Sequence, residues 1–283
     1  MSAPRLQRWR ERGGSAKARI EAARSQHRSL ELAWSLYESD SSIGGGLLAG
    51  ALAYRLFVLR LPTSLLLVSG LGLYAGAADK STRQVTKEAG LHGLFASNVA
   101  ATASSSARSL VFVLMIPAVL YAAAKLYRAL AIVHGIVWHS TGRFGRTTRR
   151  GVGVLLAVLL ATVAATEIVS LIRRHDQLGG LSALAAYTVV VGGAWLALSL
   201  ELPHGDAGWT ALVPGALLVG SGLLAVNVFN VYVTARLVED RANTYGALGV
   251  ATALLFSLVL VGRVAVVSAE LNAVLYRRHH AAV

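Results

Sequence analysis

The sequence predicts an all-α, polytopic membrane protein, a bundle of six membrane-spanning helices with both termini cytoplasmic. Three observations predict it. Of 283 residues, 55% are hydrophobic and only 14% charged, where a soluble domain carries roughly 25% charged residues. The charge is missing from long windows: residues 181–200, 209–235 and 242–262 run for 20, 27 and 21 residues without a charged side chain. Crossing a hydrocarbon layer takes about 20 apolar residues, more than a buried soluble helix needs. Finally, no apolar window alternates with polar residues as the strands of a membrane β-barrel do.

The elements follow in order. Residues 1–28 form a basic, mostly disordered cytoplasmic tail carrying Arg5, Arg8, Arg10, Arg12, Lys17, Arg19, Arg24 and Arg28. Lacking an apolar core, this tail is not read as a cleavable signal. The membrane domain spans 29–276. It opens with Leu30, Ala33, Trp34 and Tyr37 on one helical face, the pattern of a short interfacial helix. The first hydrophobic region, 43–78, holds 36 residues including Arg55, Arg60 and Pro62. It is read as one crossing, either a tilted and kinked helix or a turn followed by a helix. Residues 79–108 read as an extramembrane connection. Further spans are expected at 109–134, which carries Pro117, Lys125 and Arg128, and at 151–172, 181–200, 209–234 and 244–276. A short tail, 277–283, closes the chain.

Six crossings return the C-terminus to the side of the N-terminus. With both ends inside, the inner segments hold 14 basic residues and the outer ones 8. That bias favours cytoplasmic termini and a bacterial plasma membrane.

Several chemistries are excluded. Without cysteine there is no disulfide, thiolate metal site or cysteine nucleophile. The eight histidines are scattered, and no phosphate-binding loop, nucleophile elbow or dinucleotide fingerprint is present. The sequence predicts no enzyme, no metal and no cofactor. The net charge of +13, concentrated in the tail and loops, points to anionic membrane lipids and topology control rather than to specific nucleic-acid binding.

The candidate functional residues are the polar groups that remain inside or beside the spans: Arg55, Lys125, Arg128, Glu167, Asn227, Asn230, Arg263, Glu270 and Asn272. A charge at membrane depth is costly, so each one reaches an interface, pairs within the bundle or lines a polar path. Lys125 and Arg128, three residues apart on one face, are candidates to compensate Glu270 or to hold a phosphate. Arg263 and Glu270 are seven apart, about 10 Å along the axis, so each should find its partner on another helix. Pro214-Gly215 could break the fifth span and expose backbone dipoles. The glycine spacings Gly46–Gly50 and Gly72–Gly76 suit close helix packing, within one copy or between copies of a homo-oligomer.

Four blocks resemble the YihY/BrkB family of bacterial inner-membrane proteins: Ala49-Gly50-Ala51-Leu52-Ala53-Tyr54-Arg55, Val213-Pro214-Gly215-Ala216-Leu217, Thr244-Tyr245-Gly246-Ala247-Leu248-Gly249 and Ala269-Glu270-Leu271-Asn272-Ala273. The resemblance covers about 29–276 and implies a six-helix protein with cytoplasmic termini. It marks Tyr245, Gly246, Gly249, Glu270, Asn272, Pro214 and Gly215 as family positions but supplies no catalytic residue. Gly246 and Gly249 should admit a neighbouring helix. Arg263 and Ser268 depart from the pattern, and Arg263 is expected to pair with Glu167 or to form a site peculiar to this chain.

The function expected is that of a transporter or export factor for a lipid-like, amphiphilic or charged solute. The alternative is a non-catalytic scaffold or lipid-binding protein. A polar cavity reaching Glu270, Lys125 or Asn227 would favour transport, and a solid apolar bundle would favour the scaffold.

Overall fold

A computed structural model describes residues 28–77, 105–140, 148–175, 179–230 and 247–281. Residues 1–27 of the basic tail, residues 79–104 of the connection after the first span, Arg143, Arg146, Tyr245 and Gly246 lie outside the described residues. Seven helices are described: α1 (Arg28–Ile43), α2 (Gly45–Ala77), α3 (Ser105–Val137), α4 (Arg149–His175), α5 (Gly179–Glu201), α6 (Trp209–Phe229) and α7 (Ala247–Ala281). The six from α2 to α7 are each long and apolar enough to cross a membrane.

The first hydrophobic region is a single helix preceded by a glycine elbow. Gly44 has φ +67°, a left-handed conformation that a β-carbon would strain, and it ends α1 in the manner of a C-cap glycine. Its carbonyl then starts α2 by accepting from the amides of Leu47 and Leu48. α2 runs unbroken through Pro62. At 33 residues it is about 50 Å long, more than a bilayer core requires, so an upright crossing would leave part of it outside the hydrocarbon. α3 likewise continues through Pro117.

Around the bundle the helices follow the order α3, α2, α7, α6, α5, α4, and α4 returns more lightly against α3. One cluster of buried side chains links all six, including Leu52, Leu126, Leu155, Leu198, Val219 and Val266. Lipid offers no strong hydrophobic incentive for helices to associate, so close packing through small residues carries much of the cohesion. A β-carbon on Gly262 would stand 2.5 Å from the carbonyl oxygen of Ala49, and one on Gly192 would stand 2.9 Å from that of Ala216. Gly220 lies against the backbone of Thr188. Thus α2 meets α7, and α5 meets α6, almost backbone to backbone.

The expected packing glycines are only partly the right ones. On α7 the close approach falls at Gly262, whereas the surroundings of Gly249 lie outside the described residues. Gly46 and Gly50 face open space.

A polar knot joins α3, α4 and α5. Thr148 caps α4, its hydroxyl accepting from the amide of Gly151 at 3.0 Å. The buried Tyr127 hydroxyl donates to the Glu201 carbonyl at 2.8 Å. Gly151 leaves room for the Tyr127 ring.

Candidate functional site

The C-terminal half of α7 gathers most of the polar structure. α1 runs antiparallel beside it: Arg278 donates to the Glu31 carbonyl and to Ser35 at one end, while Arg263 meets Asp40 at the other. The Arg263 guanidinium holds the Asp40 carboxylate in a two-pronged contact, with both nitrogen–oxygen distances 2.6 Å. Planar fork-to-carboxylate pairing of this kind fixes direction as well as charge. Arg263 therefore does look to another helix, where its partner is Asp40; the side chain of Glu167 lies outside the described residues.

Glu270, two turns further along α7, is 1% exposed. Its Oε1 has no hydrogen-bond partner among the described residues and faces the α1–α2 elbow, 3.0 Å from where a β-carbon on Gly45 would stand. The same β-carbon would collide with Asp40 Oδ1. Lys125 and Arg128 do not compensate Glu270. Lys125 turns back along α3, its Nζ 5.0 Å from the centre of the Tyr121 ring, as side chains leaning toward a helix N-terminus do. Arg128 is exposed.

A different face of α7 reads the backbone of α6. Asn272 is buried; its Oδ1 accepts from the Gly215 amide at 2.7 Å, and its Nδ2 donates to the Leu212 carbonyl at 3.2 Å. The contact sits beside Pro214, whose missing N–H deprives the carbonyl one turn earlier of its usual helical donor. A β-carbon on Gly215 would strike Asn272 and come within 2.5 Å of the Ser268 carbonyl. Pro214-Gly215 thus creates a docking point in a continuous helix and not the expected break. Ser268 is fully buried with its hydroxyl donating to the Ala265 carbonyl.

The remaining candidates stand apart. Arg55 is exposed, 5.8 Å from the centre of the Tyr54 ring. Asn227 is half-buried in α6, and the Asn230 amide closes that helix by donating to the carbonyls of Asn227 and Val226. At the end of α7, a cleft of about 380 Å³ opens between the α5–α6 turn and the last helical turns. Asp206, Thr210, Pro214, Tyr276, His279 and His280 are among its lining residues, and Glu270, Lys125 and Asn227 are not.

Asp40, Tyr127 and Thr148 were not singled out in the sequence. Asp40 sits in a serine-rich stretch that reads as a solvated helix end, and its pairing with Arg263 spans 223 residues. The unmatched charge of Arg263 was the available signal.

A model of the family described as "Virulence factor BrkB" matches residues 41–283. The chain belongs to the BrkB family. Neither the curated proteins nor the solved structures compared with it gave a match. The match takes in all six candidate spans and begins one residue after Asp40. Membership and the six apolar helices make this a multi-pass membrane protein of the inner-membrane class that the YihY/BrkB resemblance implied. They are consistent with a non-enzymatic role, and among the described residues no group of three or more His, Asp or Glu side chains could hold a metal ion.

Proposed function

We propose that the protein is a transporter or export factor for a lipid-like or amphiphilic solute bearing an anionic group, with both termini in the cytoplasm. The observation that carries this reading is the unbalanced charge of α2 and α3. Arg55, Arg60, Lys125 and Arg128 have no carboxylate at ion-pairing distance among the described residues, whereas Glu201 is taken by Arg150, Asp40 by Arg263 and Glu31 by Arg278. Basic groups in apolar spans need a counter-charge or a route to headgroups, and a phosphate or carboxylate on the solute provides one. Supporting this orientation are the ties between α1 and the end of α7, which bring Glu31 and Arg278 together, and the excess of basic residues in the segments assigned to the inside.

The alternative, a lipid-binding scaffold, is favoured by the apolar cluster that fills the bundle. Native mass spectrometry of gently purified protein separates specific from adventitious lipid. The transport reading expects a defined anionic species that is retained by the wild type and by Glu270→Gln but lost from Lys125→Ala/Arg128→Ala. Equal, nonspecific lipid in every form contradicts it.

A further inference from the structure

We infer that Asp40 and Glu270 form a binding site for one proton, and that this proton holds α1 against α7. The inference does not depend on the transport reading, and it reaches beyond the family match, which begins after Asp40.

The charges at this corner do not close by themselves. Both guanidinium nitrogens of Arg263 that reach the site are committed to Asp40, so the pair is neutral within itself. Glu270 adds a carboxyl group that is 1% exposed, with Oε1 lacking a donor among the described residues. A buried acceptor left without a donor is costly, and an unpaired buried carboxylate far more so. The charged groups facing Glu270 are Asp40 from α1 and Arg263 from its own helix. From α2 it is Gly45, which has no side chain, that lies against the Glu270 carboxyl. On α3 the buried His134 is engaged with the Leu130 carbonyl.

The oxygens of Asp40 and Glu270 open onto the same small space above Gly45. Two carboxyl groups meeting there are stable when they share one proton, the protonated group donating to the other. A metal cation is a poor substitute, because the Arg263 guanidinium already occupies the corner with positive charge. Losing the proton leaves one net negative charge at the buried contact. The available relief is for α1 to lift at the Gly44 elbow and let water reach Glu270.

Hydrogen exchange of the full chain in lipid nanodiscs tests this, with rates corrected for the intrinsic pH dependence of exchange. Between about pH 6 and about pH 9, α1 exchange should accelerate about tenfold or more relative to α5 and α6. In Glu270→Gln, whose amide supplies a permanent donor to Asp40, α1 should stay protected at both pH values. The wild-type series decides the matter even where the variant folds poorly. An α1 whose corrected exchange is indifferent to pH, or one protected by sodium at constant pH, overturns the proposal. So does a Glu270→Gln protein that loosens with pH as the wild type does.

Discussion

α7 is held on two faces by different means. Toward α1, contact depends on charged side chains: Arg263 with Asp40 and Arg278 with Glu31, both partly exposed. Toward α6 and α2 it depends on backbone proximity, at Gly262 against Ala49, Gly215 against Ser268, and Gly222 against the Val264 side chain. Ionic contacts near solvent contribute little net stability and can be broken and remade. Contacts without room for a methyl group tolerate almost no rearrangement. The comparison teaches that α7 combines a releasable partner with fixed ones, so motion in this protein should begin at α1.

The strongest attempt to break this contrast is Gly262→Leu, which forces α2 from α7 and should cost about 3 kcal/mol or more. Thermal melts in detergent should show it as the largest loss of stability in the set. Asn272→Ala should come next, at about 1–2 kcal/mol, because it leaves the Gly215 amide and Leu212 carbonyl short of a partner in a buried place. Asn272→Asp should do at least as much harm, since a carboxylate cannot donate to Leu212. Asp40→Asn sharpens the contrast from the other side. Global stability should fall by less than about 1 kcal/mol, while hydrogen exchange in α1 accelerates and that in α5 and α6 stays unchanged. Arg150→Ala should have the smallest effect, within about 0.5 kcal/mol on the same melts, because its side chain is 83% exposed in the pair with Glu201.

The architecture was legible because a membrane imposes length and polarity on consecutive residues. The uncharged windows fell on α5, α6 and α7, and the candidate spans among the earlier helices were recovered within a few residues. Contacts were harder to read, since they depend on residues distant in sequence. Glu270 and Asn272 stood out as polar residues in an apolar helix, but nothing local to Asn272 indicates Gly215, and nothing local to Arg263 indicates Asp40. Pro214-Gly215 suggested a broken helix because the proline effect is local, whereas the group that engages the adjacent backbone belongs to α7. Gly46–Gly50 suggested packing from spacing alone, and those glycines face open space. Gly262, with no glycine partner at that spacing, makes the close contact.

The central claim is that the cations of α2 and α3 that meet no carboxylate among the described residues serve an anionic amphiphile that the protein moves across the membrane. Its most direct test is flux in proteoliposomes, using the anionic species retained by the purified protein and a label read from one leaflet only. The account predicts transfer well above protein-free vesicles, reduced about tenfold or more in Lys125→Ala/Arg128→Ala, a loss of about 1.4 kcal/mol. Specific binding without transfer, or transfer indifferent to both substitutions, would contradict it.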